Sequence, residues 1–381
     1  MDICVLNPYF YPYKGGTEKM LLEVYGRLAK RHNVTVLTST VPGRNEKRKE
    51  EIRGIKVMRL RTKQYALPGL PLPFESFGDL NAEIKKAGAD LYHINNRYEY
   101  FYFNLKNIKS TGKLCLTIHN SLPKNINAPT DFFGLAYDVV WGRKVMDRAD
   151  LITGVSRDAI DSTIPDKDKP KAHVVYNGVD PMIFKKHPRG DPKVQKVLEE
   201  LSFDGPTILC NGRLVPQKGQ RYLMQAMSLI SEGGNMPNLL LLGKGPMEHE
   251  LRRIAERLGI NMQIHSDLGE DKLPYYYSAA DISVVPSLYE PASLAALESM
   301  SCELTVIASR IGGLPEMVGN CGIYTEPKDV TAIANALSTV LSDQKRAAAM
   351  GKAGREHVIE SHSWDKIAKK YESLFLNTVK Q

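Results

Sequence analysis

The stretch MDICVLNPYFYPYKGGTEKMLLEVYGRLAKRHNVTVLT, residues 1–38, decides the fold class. Residues 3–6 (ICVL) form a short uninterrupted apolar run, and residues 34–38 (VTVLT) form a second. Between them, residues 17–31 carry Met20, Leu21, Val24 and Leu28 on one face of an amphipathic helix. Strands that lack polar–apolar alternation and are separated by helices imply a parallel sheet covered on both faces.

The pattern continues outward. In the N-terminal half, residues 55–60, 91–94, 114–118 and 151–155 read as further strands, with a helix over 141–149. In the C-terminal half the strands are 207–211, 239–242, 262–265, 282–285 and 305–308. Helices are expected between them near 221–231, 248–258, 273–279 and 293–300. Two doubly wound α/β domains in tandem satisfy this order. The stretch KKHPRGDPKVQK (residues 185–196) interrupts the apolar periodicity and predicts a boundary, giving domains over 1–184 and 185–363. Residues 363–375 read as a last helix, with Ser363 as N-cap and Trp364, Ile367, Ala368, Tyr371 and Leu374 on an apolar stripe.

The 381 residues are 43% hydrophobic and 25% charged, which excludes collagen-like and wholly disordered chains. No stretch approaches the roughly 18 uninterrupted apolar residues of a membrane span. The N-terminus has neither a basic segment nor a cleavage site, so it reads as the start of a mature domain and not as a signal peptide. Cys4, Cys115, Cys210, Cys302 and Cys321 are scattered without C-x-x-C spacing, and read as reduced thiols in a cytosolic protein. The net charge of +8 is unevenly divided. Residues 1–184 hold 28 Lys+Arg against 20 Asp+Glu, whereas residues 185–381 hold 23 of each. Much of the excess lies in Arg44, Lys47, Arg48, Lys49, Arg53, Lys56, Arg59, Arg61 and Lys63. A polyanionic partner and a merely solvated basic face both account for it.

In open parallel sheets, ligands bind beyond the carboxyl ends of the strands. After the first strand, Gly15-Gly16 stands directly before a helix, either as an anion site built from backbone amides or as a tight turn. It is neither a G-x-G-x-x-G fingerprint nor a P-loop. His119 closes the 114–118 strand, a position that suits catalysis or structure. In the second half, Arg213 and Lys218 lie five residues apart across a Pro turn, a fork and a point charge suited to a diphosphate. Gly243-Lys244-Gly245-Pro246 is a turn at the equivalent end of the next strand. Glu290 and Glu298 are eight residues apart, with the junction Ala292-Ser293-Leu294 offering helix-end amides between them. Asp166-Lys167-Asp168 matches a metal-binding D-x-D pattern but sits in PDKDKP, which reads as an exposed turn, and no metal is expected. Aromatics at Tyr98–Phe103 and from Phe132 to Trp141 read chiefly as core, with an acceptor surface as the alternative.

Taken together, NGVD (177–180), GRLVPQKG (212–219), GKGP (243–246), LPYYYSAAD (273–281) and PSLYEPASLAALESM (286–300) occur in a telling order. In these segments the chain resembles the retaining glycosyltransferases of family 4, which have the GT-B architecture. The resemblance covers nearly the whole chain, and its E-x7-E motif falls on Glu290 and Glu298. It implies two Rossmann-like domains facing each other across a cleft: an acceptor-binding domain over 1–184, completed by a helix over 364–381, and a nucleotide-sugar domain over 185–363. By resemblance, Arg213 and Lys218 hold the donor diphosphate, Glu290 contacts the donor sugar, and Glu298 binds the ribose. Gly15 and Gly16 lie against the donor phosphates and the acceptor, and His119 lies near the reaction centre. Gly243, Ser293 and Leu294 complete the donor site through the turn and helix-end backbone.

The implied reaction is metal-independent transfer of a sugar from a UDP- or GDP-sugar to an acceptor hydroxyl, without a cofactor. The expected acceptor is a sugar or a lipid-linked, anionic molecule. The enzyme is expected in the cytoplasm, in peripheral contact with the inner face of the membrane, and without nucleic acid. Two other classes are weighed: a silent nucleotide-sugar-binding partner, and a GT-B epimerase or phosphorylase. Three departures from the family pattern point to an unusual donor pocket: Ala292-Ser293 for Phe-Gly, Cys302-Glu303-Leu304-Thr305 for Cys-Gly-Thr-Pro, and Asn120 after His119.

Overall fold

In the computed structural model the opening segment folds as β1 (Asp2–Leu6), α1 (Gly16–Leu28) and β2 (Asn33–Ser39), with β1 and β2 parallel. Met20, Leu21, Val24 and Leu28 are buried, as helical spacing requires. The structure describes residues 1–13, 15–40, 47–60, 62–67, 70–75, 77–95, 112–120, 142–230 and 236–381. The aromatic runs at 98–103 and 131–141 lie outside the described residues, and of the helix expected over 141–149 the described part is Arg143–Arg148.

The chain divides into two compact units, Met1–Tyr176 with Trp364–Gln381, and Asn177–Ser363. The first unit adds β3 (Lys49–Ile52), β4 (Ile55–Leu60), the pair β5 (Thr62–Leu67) and β6 (Leu70–Glu75), β7 (Leu91–Asn95), β8 (Lys113–Ile118), β9 (Leu151–Gly154) and β10 (Ala172–Val174). Its main sheet has the order β10-β9-β8-β7-β1-β2-β4-β3. All neighbours are parallel except β3, which returns antiparallel along β4. Arg53 (φ 51°) and Gly54 (φ 80°) make the two-residue turn between them. The basic stretch therefore supplies an edge strand, KEEI, whose charges conceal it from hydrophobic patterning.

The last helix, α2 (Trp364–Lys380), belongs to the first unit. It buries Trp364, Ile367, Ala368, Tyr371 and Phe375; the stripe continues on Phe375, while Leu374 is half-buried. Against α1, Arg27 Nε bonds Asp365 at 2.5 Å, and Arg31 and His32 both reach Glu372 at 2.7 Å. Beneath the helices a buried polar chain crosses the sheet. Tyr25 contacts His93 Nδ1, and His93 Nε2 lies 2.5 Å from Thr117 Oγ1. Thr117 Oγ1 in turn lies 2.6 Å from Thr153 Oγ1 and 3.4 Å from the Tyr371 hydroxyl.

The second unit is a six-stranded sheet: β11 (Thr207–Asn211), β12 (Asn238–Leu242), β13 (Met262–His265), β14 (Ile282–Val285), β15 (Thr305–Ser309) and β16 (Gly322–Thr325). Its order is β13-β12-β11-β14-β15-β16, entirely parallel. Successive residues of β11 enter opposite cores: Leu209 packs on one face, Ile208 and Cys210 on the other. This double burial is why its strands read as continuous apolar runs.

The units part at Tyr176, eight residues before the boundary expected at 184/185. Residues 177–184 hold to the second unit through burial of Phe184 and through Arg355, which binds two of their carbonyls, those of Pro181 and Phe184, together with the carbonyl of Ser301. Val179 also forms a parallel bridge to Ser363.

Candidate active site

In the second unit β11 lies between β12 and β14, so the connections leaving β11 and β14 pass to opposite faces and open a crevice at the switch point. Residues 216–218 form a single 3-10 turn ending at Gly219 (φ 69°), where a Cβ would stand 2.0 Å from the Pro286 carbonyl. Only glycine lets the loop after β11 lie this close to the loop after β14. Leu288 N–H donates to the Gln217 carbonyl at 2.7 Å across the same seam.

This contact sets Lys218 Nζ 2.5 Å from Glu290 Oε2. Ser287 Oγ donates to the same oxygen at 3.1 Å. Glu290 is 5% exposed, so its carboxylate is held almost wholly by this pair. Its backbone is fixed too: Gly313 N–H donates to the Glu290 carbonyl, and Gly312 (φ 56°) has no room for a Cβ against that oxygen. Arg213, at the other end of the turn, is exposed, and its guanidinium has no hydrogen bond or ion pair among the described residues. Gln220 Nε2 holds its carbonyl at 3.0 Å.

Glu298 lies on α3 (Leu294–Ser301), and its Oε2 accepts from the Tyr277 hydroxyl at 2.8 Å and from Asn211 Nδ2 at 3.3 Å. Burial first, then the Glu298 charge, pushes the Tyr277 phenol well above its ordinary pKa, keeping it a donor. Neither Tyr277 nor Asn211 was singled out from sequence; the signal was a polar residue closing an apolar strand (TILCN) and a tyrosine in LPYYYSAAD. Ser293 is the N-cap of α3, accepting from Ala296 N–H at 3.3 Å, and its own N–H faces Met317 Sδ at 3.1 Å. Of the junction amides expected to be free, that of Ser293 is therefore taken. Gly243 (φ 146°) lies against the Gly212 carbonyl, where a Cβ would come within 2.1 Å. Glu303, where the resemblance leads one to expect glycine, has a left-handed backbone, φ 59°.

In the first unit, β1 lies between β2 and β7, a second switch point. Gly15 caps α1 there, and a Cβ on it would meet Glu18 Oε2 at 2.1 Å. Glu18 is itself buried, and burial raises its pKa. His119 follows β8, and its Nε2 lies 2.9 Å from Asn95 Oδ1. Burial lowers its pKa to about 3, so it is neutral at pH 7. The D-x-D segment is a 3-10 helix, not an open turn: Asp168 is buried and paired with Lys171, and Asp166 is exposed and paired with Lys169. The basic stretch is also partly consumed. Arg53 bonds Glu23 at 2.8 Å and Arg59 is buried against Glu50, while Arg44 and Arg61 lie outside the described residues.

The profile for Glycosyltransferase Family 4 matches residues 14–182, and that for Glycosyl transferases group 1 matches residues 196–357. An alpha-maltose-1-phosphate synthase of Mycolicibacterium smegmatis is 32% identical over 316 residues, covering 76% of this chain and 79% of that protein. The chain belongs to glycosyltransferase family 4. A GDP-mannose-dependent alpha-(1-6)-phosphatidylinositol monomannoside mannosyltransferase of Mycobacterium tuberculosis is 31% identical, covering 60% of this chain and 62% of that one. An uncharacterized glycosyltransferase of Methanocaldococcus jannaschii is 34% identical over 204 residues, and the match spans about half its length (52%). Among solved structures, sucrose-phosphate synthase from Thermosynechococcus elongatus aligns with a TM-score of 0.79 at 22% identity, over 98% of both chains. Anabaena HepE in complex with UDP and glucose aligns at 0.76 and 20%, also over 98% of both. The family 4 chain thus has the GT-B fold, with two Rossmann-like domains.

Proposed function

We propose that this family 4 protein is a retaining, metal-independent hexosyltransferase that moves a sugar from a nucleoside diphosphate donor to an acceptor hydroxyl. The observation that carries the reading is the switch-point cluster of the second unit: Lys218 bonded to buried Glu290, with the exposed guanidinium of Arg213 at the other end of the same turn. A departing nucleoside diphosphate develops negative charge, and two cations, Lys218 held by its ion pair and the exposed Arg213, stabilise it without a metal. Glu290 then receives hydroxyls of the donor sugar, and Glu298, steadied by Tyr277 and Asn211, receives those of the ribose. Gly243, Leu294 and the Ser293 cap complete the donor site; Gly15, Gly16 and neutral His119 serve the transferred sugar and the acceptor. The donor base is uracil or guanine, in keeping with the UDP complex and the GDP-mannose-dependent relative.

The test is release of UDP or GDP from a panel of UDP- and GDP-sugars in the presence of chelator, with the anomeric configuration of the product read by proton NMR. Turnover with retained configuration is the expected result. Donor binding without turnover would instead indicate a silent nucleotide-sugar-binding partner.

We further propose that the acceptor is an anionic sugar or lipid-linked molecule, reached by peripheral contact with the cytoplasmic face of a membrane. The first unit carries 32 Lys+Arg against 21 Asp+Glu, a net +11, and the second 19 against 22, a net −3. Among the described residues, no helix is long and apolar enough to cross a membrane. Co-sedimentation with anionic but not neutral liposomes, lost at high salt, is the expected outcome.

A further inference from the structure

The segment that joins β1 to α1 is more firmly built than its length suggests. Four consecutive carbonyls in it are satisfied. The Pro8 oxygen accepts from Thr38 Oγ1 at 3.2 Å and Ser39 N–H at 3.1 Å. The Tyr9 oxygen accepts from Asn7 Nδ2 at 2.5 Å, and the Phe10 oxygen from Tyr13 N–H at 3.0 Å. The Tyr11 oxygen accepts from Arg59 Nη2 at 2.6 Å. A surface turn normally leaves such groups to water; here the sheet and the segment itself supply every donor.

Arg59 is the unusual member of this set. It lies on β4, opposite Thr38 of β2 in the parallel register, and is 1% exposed. Among the described residues its guanidinium reaches the Tyr11 carbonyl, the Lys47 carbonyl at 3.2 Å, and the Glu50 carboxylate of β3. Burying a guanidinium is costly unless its donors are matched, and a single planar fork that reaches two loops and a carboxylate is a task lysine performs poorly. Above this anchor, the side chains of Tyr11 and Tyr13 remain exposed (48% and 38%), and Tyr13 stacks on Tyr9 with ring centroids 4.6 Å apart. The same segment runs into Gly15 and α1, at the first unit's switch point.

We propose that Arg59 is a positioning residue for glycosyl transfer. Its guanidinium fixes the Tyr11 carbonyl, and thereby the shape in which the segment presents Tyr11, Tyr13 and the Gly15–Gly16 helix start to the reactants. The inference rests on the transferase reading above for its catalytic consequence, and on geometry alone for its structural one. It also explains why a cation in the basic stretch is withheld from the surface.

Three variants test it: Arg59→Met with Glu50→Gln, which removes the buried cation together with its half-buried carboxylate partner; Glu50→Gln alone, which keeps the bond to Tyr11; and Arg59→Lys. Hydrogen exchange of the peptide spanning residues 7–13 reads the segment, and nucleoside diphosphate release from UDP-glucose and GDP-mannose reads the reaction. For the double variant, exchange at the Tyr13 amide is expected to rise at least tenfold. Its kcat is expected to fall about 10–100-fold, with the donor KM changed less than threefold and the protein still melting cooperatively. Glu50→Gln alone should stay within threefold of the parent in kcat, and Arg59→Lys should fall between. Unchanged exchange at residues 7–13 overturns the proposal. So does faster exchange with undiminished kcat, or a kcat loss that merely matches the fraction unfolded. If the parent protein turns over neither donor, the transferase reading fails separately, and the exchange measurement still decides whether Arg59 holds the segment.

Discussion

Lys218 and Arg213 close the same turn, yet they are not equivalent. Lys218 is the ion-pair partner of a carboxylate that is 5% exposed, whereas the Arg213 guanidinium has no ion pair among the described residues. Replacing either with alanine is expected to lower turnover on the order of a hundredfold, the usual effect of removing one stabiliser of developing negative charge. Their effects on stability should differ. Arg213→Ala should leave the melting temperature unchanged, while Lys218→Ala strands Glu290 and should cost about 1–3 kcal/mol, a fall of several degrees. Equal melting temperatures for the two variants would contradict the pairing; calorimetry beside initial-rate assays measures both. At this scale the sequence was legible where spacing carried the information. Glu290 and Glu298 stood out by their interval and by the helix beginning between them. Tyr277 and Asn211 did not, because what makes them matter is a meeting of three different elements on one carboxylate oxygen.

The helix α2 shows what patterning can and cannot read. Its amphipathic spacing predicted the helix and most of its buried face, with Phe375 in place of Leu374 as the last contact. Propensity alone would have left it an isolated tail; what holds it is Trp364, Ile367, Ala368, Tyr371 and Phe375 in the first unit's core, two arginine–carboxylate ion pairs to α1 and the residues after it, and the hydrogen bond between His32 and Glu372. Phe375 is fully buried against His93 and Tyr371, with ring centroids 5.6 and 5.5 Å away. Phe375→Ala is expected to cost about 3–5 kcal/mol through lost burial and the cavity left behind. Removal of residues 364–381 should leave the first unit unable to fold at 37 °C, which circular dichroism melts and limited proteolysis would show. A truncated protein melting like the parent would exclude this. The edge strand β3 was illegible for the opposite reason: KEEI carries its pairing information in a left-handed Arg53-Gly54 turn and in backbone register, not in hydrophobicity.

Over the whole molecule, three buried histidines contribute to the response to acid. Burial lowers His93 to about 3, with His119 as a lesser cause, and lowers His119 itself to about 3. Burial and then His357 lower His362 to about 4. Each is neutral in the folded protein but takes up a proton in the unfolded chain once pH falls through 6.5. The unfolded state then binds more protons, so the histidine contribution lowers stability as pH goes from 6.5 toward 4. Melting temperatures that stay constant from pH 7.5 to 4.5 would refute this. The two-domain α/β plan was written in the alternation of apolar runs, whereas the true parting at Tyr176 was not, since it depends on Arg355 gathering carbonyls from residues far along the chain. That division has a consequence for biogenesis. The second unit is one continuous segment, Asn177–Ser363, while the first needs Trp364–Gln381 to fill its core. On the ribosome, then, the domain begun first is finished last. Its nascent sheet must wait, with the bed for Trp364 and Phe375 still open, until an entire intervening domain has been translated, and during that interval it is the natural client of a chaperone.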